Sequence, residues 1–255
     1  VDLPVNSFKR ALVAGRQQIG FWNSMTSPTA TEILAGSGFD WLIIDGEHAP
    51  NDVPGVLSQI HAMMENTTHP IVRIPVNDPI VFKRFLDIGT QTFLVPMVET
   101  VEQAQAAVAA TRFPPHGIRG FAGAARASRY GRVANYHSRA HEELCILVQI
   151  ETQQALDNIE AIAAVEGIDG LFVGPGDLSS DLGYLGDQGN PYIVELIERT
   201  LHRIVATGKP AGILTGDEAL ARRYMAAGST FTAVGIDTGT LARSTEAIAR
   251  KFKAA

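Results

Sequence analysis

Cysteine occurs once in the 255 residues, at Cys145. A lone thiol excludes an intrachain disulfide, and its apolar setting, LCILVQI, marks it as a small buried hydrophobe. Lysine is also scarce, with only Lys9, Lys83, Lys209, Lys251 and Lys253. None stands at the C-terminal tip of an expected strand. This disfavours imine chemistry, because a Schiff base needs an amine in the pocket. No apolar run reaches the roughly 18 residues of a membrane span. The opening VDLPVNSFKR lacks the apolar core of a secretory signal. These absences lead to the expectation of a soluble, cytoplasmic protein with no membrane partner. The formal net charge of −6 argues against a nucleic-acid partner. HExxH and GxSxG are missing, and no GxGxxG follows the first expected strand.

What is present is ordinary globular material, 45% hydrophobic and 19% charged. Eight short apolar runs punctuate it: 19–23, 41–45, 70–75, 92–98, 144–151, 170–174, 210–214 and 231–237. Runs apolar on both faces suit a parallel sheet covered by helices. The stretches between them carry helical patterns, for example 101–113, 152–165 and 217–228. Eight β/α alternations in one domain spanning 1–255 predict an α/β fold, a (β/α)8 TIM barrel. A doubly wound open sheet is the rival and usually has fewer strands. Two connections are long. Residues 112–137 carry Arg112, Arg119, Arg126, Arg129 and Arg132 with no acid, and 178–192 follow strand six. Both read as active-site walls or subunit contacts at the C-terminal ends of strands.

Barrel function gathers where strands finish. Strand two ends in Asp45-Gly46-Glu47-His48, strand three holds Arg73, and strand five ends in Gln149-Ile150-Glu151. Strand six ends in Gly174-Pro175-Gly176-Asp177 and strand eight in Asp237. Glu151 and Asp177 close consecutive strands, which lie about 4.8 Å apart, so both carboxylates can share one cation. Oxygen ligands favour Mg²⁺ or Mn²⁺. The alternative is that each acid serves the helix after it, Asp177 as an N-cap and Glu151 through the helix dipole. Arg73 lies inside PIVRIP, where an unpaired charge costs several kcal/mol. It therefore pairs with a carboxylate, faces a bound oxyanion, or does both. His48 beside acids is a candidate general base. The Gly-Pro-Gly turn can bring the amides of Gly174 and Gly176 close to a ligand carboxylate, or can simply be a tight turn.

The segments FDWLIIDGEHAPND, PIVRIPVND, LDIGTQTFLVPMVET, RGFAGAARASRYGR, ILVQIET and GIDGLFVGPGDLSSDLG together resemble the HpcH/HpaI family of metal-dependent aldolases. Within that family the chain resembles the 4-hydroxy-2-oxo-heptanedioate aldolases, from about Phe8 to Arg250. The resemblance implies reversible cleavage of 4-hydroxy-2-keto acids to pyruvate and an aldehyde, dependent on Mg²⁺, Mn²⁺ or Co²⁺. It also implies a homotrimer or a hexamer built as a dimer of trimers, with a helix swapped between subunits. Residue by residue, it makes Glu151 and Asp177 the metal ligands. Arg73 becomes the partner of the keto oxygen, His48 the base, and Asp45 the acid beside it. Asp87 supports the histidine from a neighbouring subunit, and Gln149 is a pocket residue. Gly174, Pro175 and Gly176 form the turn that holds the pyruvate carboxylate. Trp22 and Leu214 fall on the pocket wall. Many relatives have alanine where this chain has Gly176.

Two other readings fit the residues. One is a lyase of citryl- or malyl-CoA type, for which the arginines of 112–137 could receive a nucleotide tail. The other is a non-catalytic binder of keto acids. The full set of acids, base and arginine weighs against the second.

Overall fold

A computed structural model describes residues 1–253. Eight parallel strands close in sequence order into a barrel: β1 Gln18–Asn23, β2 Trp41–Asp45, β3 His69–Arg73, β4 Thr92–Val95, β5 Cys145–Ile150, β6 Gly170–Val173, β7 Ala211–Leu214 and β8 Ser229–Ile236. Helices α1 Ser7–Val13, α2 Pro28–Ala35, α3 Val53–Ala62, α4 Pro79–Asp87, α5 Val101–Thr111 and α6 Tyr136–Arg139 lie in the first half of the chain. Helices α7 Gln153–Asp157, α8 Ile159–Ala163, α9 Pro175–Asp181, α10 Pro191–Ala206, α11 Glu218–Ala226 and α12 Asp237–Lys253 follow. Among the described residues no helix is long and apolar enough to cross a membrane.

The helix starts obey local chemistry. The side chains of Ser27, Asp52, Asp78, Thr100 and Asp217 each accept an amide of the first turn. Proline opens α2, α4, α9 and α10, where its missing N–H costs no bond. The pattern at 152–165 predicts one helix, but the chain forms two. Asn158 leaves helical geometry at φ −107°, ψ 9°, and its Nδ2 donates to the Glu99 carbonyl at 2.8 Å. This tertiary bond outweighs the amphipathic pattern.

Strand pleating decides what the barrel contains. Side chains alternate inward and outward along a strand. On β2 the inward set is Trp41, Ile43 and Asp45, registered against His69, Ile71 and Arg73 of β3. Similarly, Cys145, Leu147 and Gln149 on β5 and Phe172 on β6 face the interior. Cys145, Leu147 and Phe172 share one buried cluster with Trp22, Leu94 and Phe231, and Gln149 is buried above them. The outward set, Leu42, Ile44, Val72, Phe93 and Val148 among others, packs under the helices in a second cluster. Apolar side chains therefore fill the barrel's lower half, and polar ones end its inward rows at the top.

Helix α1 closes the bottom. Phe8 is 1% exposed and meets Trp41 and Phe231 edge-on, at 6.0 and 5.9 Å between centroids. Its burial contributes about 2–3 kcal/mol. His69 stacks on Phe8, and its Nε2 lies 2.8 Å from Thr92 Oγ1. Burial draws the His69 pKa down to about 4.

One expectation about position is corrected here. Residues 112–137 come after α5, which has run back toward the strands' N-terminal ends, and they lead into β5. They lie at the face opposite the strand tips and do not wall this chain's own mouth. Asp87, the last residue of α4, lies at that same far face. It pairs with Arg119 at 3.3 Å.

Candidate active site at the strand tips

The pleat that sends Asp45 and Arg73 inward also places them side by side, as registered partners on β2 and β3. Their side chains form a two-pronged ion pair, with Nε to Oδ1 at 2.9 Å and Nη2 to Oδ2 at 2.7 Å. Asp45 Oδ2 also accepts Trp22 Nε1 at 3.3 Å, and Oδ1 accepts the amides of Glu47 and His48. Burial alone would raise the Asp45 pKa. The bonds and charge of Arg73 overcome that and, with the Glu47 amide, leave it below the usual carboxylate range. The Arg73 guanidinium lies over the Trp22 ring at 4.9 Å. Arg73 thus has an internal carboxylate partner, yet Nη1 still faces the site. It stands 2.8 Å from Glu47 Oε2, outside hydrogen-bond geometry. Burial raises the Glu47 pKa despite Arg73, and Asp45 and Asp177 add to the rise.

Glu151 follows β5 and is 3% exposed. Its Oε1 accepts Gln149 Nε2 at 2.6 Å, and its Oε2 accepts the Met97 amide at 3.1 Å. Met97 holds a left-handed φ of 52°, a costly conformation for this residue type, and in it aims that amide at the carboxylate. Burial pushes the Glu151 pKa up to about 7 against the Met97 bond, and Asp177 and Glu47 push the same way. Neither acid serves its helix as a cap. The α7 N-cap is Thr152, and the α9 N-cap is Gly174, with Asp177 third in the helix. Asp177 is exposed at the rim.

The donor set fits a hard divalent cation. Asp177 lies close enough to raise the pKa values of Glu47 and Glu151, and Glu47 that of Glu151. Gln149 Oε1 and Glu47 Oε2 are buried acceptors with no hydrogen-bond donor. No group of three metal-ligating His, Cys, Asp or Glu side chains converges among the described residues. A cage of that kind is not required, since Mg²⁺ commonly takes one or two carboxylates and leaves its other positions to water and substrate. Gly174 leaves the room needed. A Cβ there would meet Glu151 Oε1 and lie 2.7 Å from Cγ.

The Gly-Pro-Gly turn behaves differently from expectation. The Gly174 amide already donates to the Ile150 carbonyl at 3.2 Å. Pro175 has no N–H, so the turn's donors are the amides of Gly176 and Asp177, in the first turn of α9 where no intrahelical acceptor exists. Trp22 and Leu214 do line the interior together, next to Phe172. His48 stands at the rim with its side chain 64% exposed and Nε2 3.9 Å from Glu47 Oε2. Asp87 is not brought to this cluster within one chain. Asp237 is a brace, accepting the amides of Ser24 and Met25 at 2.9 to 3.0 Å. Lys9 and Lys209 sit at the opposite end, donating to the Leu144 and Ile168 carbonyls.

Sequence reasoning left two participants out of the site. Glu47 was visible only as a neighbour of His48. Nothing in the PMVET segment announces the Met97 backbone.

Comparison with known proteins identifies the family. The profile of the HpcH/HpaI aldolase/citrate lyase family matches residues 18–244. A hydroxypyruvate/pyruvate aldolase of Deinococcus radiodurans is 55% identical over 97% of this chain and 90% of its own. A 4-hydroxy-2-oxo-heptane-1,7-dioate aldolase of Escherichia coli is 52% identical over 98% of this chain and 95% of its own. The crystal structure of a protein of the same family from Burkholderia cenocepacia superposes with a TM-score of 0.94 at 39% identity, covering 98% of this chain and all of that one. The chain belongs to the HpcH/HpaI aldolase/citrate lyase family, a family of carbon–carbon lyases.

Proposed function

We propose that this protein is a divalent-metal-dependent pyruvate aldolase that cleaves 4-hydroxy-2-keto acids reversibly to pyruvate and an aldehyde. The observation that carries the reading is the buried Glu151 carboxyl, faced by Asp177 and Glu47, beside an arginine clamped by Asp45. The names of the aldolases at 52% and 55% identity support it. Glu151 and Asp177 would hold Mg²⁺, Mn²⁺ or Co²⁺, which when bound supplies Lewis-acid charge beside the keto acid's oxygens.

This chain's own residues account for the rest. The Gly176 and Asp177 amides receive the substrate carboxylate. Asp45 and Trp22 hold Arg73 so that its charge is in place before negative charge grows on the keto oxygen, and preorganised charge needs no rearrangement during reaction. His48 takes the C4 hydroxyl proton. The C3–C4 electron pair then moves into the enolate and the aldehyde leaves. Protonation at C3 completes pyruvate. Trp22 and Leu214 wall the space for the aldehyde portion, and Gln149 steadies Glu151. Asp87 of the partner subunit would orient His48.

A trimer or a dimer of trimers suits the chain's outer surface. Only Asp237 of α12 is buried, while Leu241, Ile248 and Phe252 on that helix are exposed, as a helix exchanged between subunits would be. We place the protein in the cytoplasm. Within one chain the arginines of 112–137 lie at the far face from this mouth, so the acyl-CoA lyase reading would need them from a neighbouring subunit.

The test follows pyruvate in two assays. Treatment with EDTA should abolish pyruvate release from a 4-hydroxy-2-keto acid, and Mg²⁺, Mn²⁺ or Co²⁺ should restore it. The metal-loaded protein should also exchange the methyl protons of pyruvate in deuterium oxide. Acetyl-CoA release without pyruvate release would transfer the assignment to the rival lyase. Binding of keto acids without proton exchange would leave a non-catalytic binder.

A further inference from the structure

A row of polar side chains lies on the outer side of the barrel wall, behind the tips of β1 and β2. Three of them, Asn23, Thr31 and Gln59, are each 0% exposed. Asn23 follows the inward Trp22 on β1 and so points outward, toward α2 and α3. Gln59 stands on the buried face of α3 with Val56 and Ile60. Leucine or methionine would fill such a place with no polar group to satisfy, and a buried amide adds little stability of its own.

The hydrogen bonds run one way, toward the loop that carries His48. Asn23 Nδ2 donates to Gln59 Oε1 at 2.9 Å and to Thr31 Oγ1 at 2.8 Å, and Thr31 donates to the Ser27 carbonyl at 2.9 Å. With its oxygen so engaged, the Gln59 amide turns Nε2 to Asn51 Oδ1 at 2.7 Å and to the Gly55 carbonyl at 3.2 Å. That leaves Asn51 Nδ2 facing the Asp45 carbonyl, to which it donates at 2.7 Å. Each amide fixes the orientation of the next. The direction is kept at a cost, since Asn23 Oδ1 is buried with no partner. The last bond closes residues 45–51 into a ring. At the start of that loop the Gly46 amide donates to the Arg73 carbonyl at 2.8 Å. Between the two pins the Glu47 and His48 amides donate to Asp45 Oδ1, the oxygen that also receives Arg73 Nε.

We propose that Asn51 and Gln59 are positioning residues: through the Asp45 carbonyl they set the loop that presents Glu47 and His48 to the mouth, and neither touches the reacting atoms. The inference rests on the aldolase reading only for the proton that His48 takes.

Asn51→Leu and Gln59→Met test it in the assembled, Mn²⁺-loaded protein, by steady-state cleavage of 4-hydroxy-2-oxopentanoate and by hydrogen exchange read with mass spectrometry. Each should lower kcat by about ten- to a hundredfold, as a misplacement near 1 Å does. KM and Mn²⁺ affinity should hold, since Glu151, Asp177 and α9 lie outside the loop. Amide exchange should quicken in a peptide covering 46–51 and stay unchanged in peptides covering β5 and α9. Gln59 acts through Asn51, so the double variant should be no slower in turnover than Asn51→Leu alone. Leu201→Ala, buried on α10, controls for lost stability. It should lower the melting temperature and leave both kcat and exchange at 46–51 unchanged. Should Gln59→Met fail to fold, Asn51→Leu, at a half-buried position, decides alone. Unchanged kcat in Asn51→Leu, or a loss matched by Leu201→Ala, overturns the proposal. So does exchange that stays unchanged at 46–51 or quickens equally in every peptide. An unmodified chain that releases no pyruvate would refute the aldolase reading instead, and the exchange pattern would still decide whether these two amides set the loop.

Discussion

Two glycines two residues apart should respond oppositely to the same substitution. Gly174 has φ −95° and ψ 95°, a backbone that alanine can adopt. Its difficulty is space. An added Cβ would meet Glu151 Oε1 and lie 2.7 Å from Cγ and 2.9 Å from Cδ. These atoms end a flexible side chain, so the carboxylate swings away and the fold survives. A displacement of about 1 Å can cost on the order of 10² in rate. The swing also breaks the 2.6 Å bond from Gln149 and the 3.1 Å bond from Met97. Losing two bonds to a charged group costs roughly 1–3 kcal/mol of stability after relaxation. Gly176→Ala is the control. Its Cβ would find only Gln188 Nε2, at 3.4 Å, and the position is helical. That variant should keep turnover and gain about 0.4–1 kcal/mol. The assays are Mn²⁺ calorimetry, pyruvate release and thermal melts. Gly174→Ala should lose about 10² or more in turnover and bind Mn²⁺ weakly. Wild-type Mn²⁺ affinity and turnover in Gly174→Ala, or equal losses in both variants, would refute the reasoning.

Arg73→Ala should lower turnover by about 10²–10³, as loss of a preorganised charge at a growing oxyanion does, and steady-state kinetics will show it. Mn²⁺ affinity should depend on pH. Glu151 must lose a proton to ligate and titrates at about 7 without metal. Calorimetry should therefore show affinity falling up to about tenfold per pH unit below 7 and levelling above it. Stability should fall in acid through His69. Its pKa of about 4 in the fold lies below its ordinary 6.5, so the unfolded chain takes up the proton first. The His69 contribution is whole above about 6.5 and is lost as pH drops to about 4, by roughly 3 kcal/mol. Urea unfolding at several pH values should show a smaller acid loss in His69→Gln than in the unmodified chain.

All eight strands were legible because each is a short run apolar on both faces. Their ends moved by a few residues, as at β4, which stops at Val95 instead of 98. The strand-tip acids were legible for a related reason: a charge directly after a buried run has few places to point except the mouth. The long arginine-rich connection was assigned to the wrong face. Length and glycine content mark a loop, but its face depends on whether a strand or a helix precedes it. The Gly174 amide was expected to be free, and only the register of β5 against β6 reveals the bond to Ile150. The left-handed Met97 had no sequence signal, since glycine or asparagine usually marks that geometry. The break at Asn158 required knowing that Glu99 stands within reach.

Along the barrel axis the rings of Trp22, Phe172, Phe231 and Phe8 follow one another at centroid spacings of 5.8 to 5.9 Å. The reaction cup therefore has a solid base with no slack beneath it. A longer acceptor cannot sink deeper and must grow outward past the rim. Changing the size of molecule this enzyme accepts is then a task for the mouth and for whatever neighbour overhangs it, while edits to the aromatic column would cost the fold without enlarging the cup.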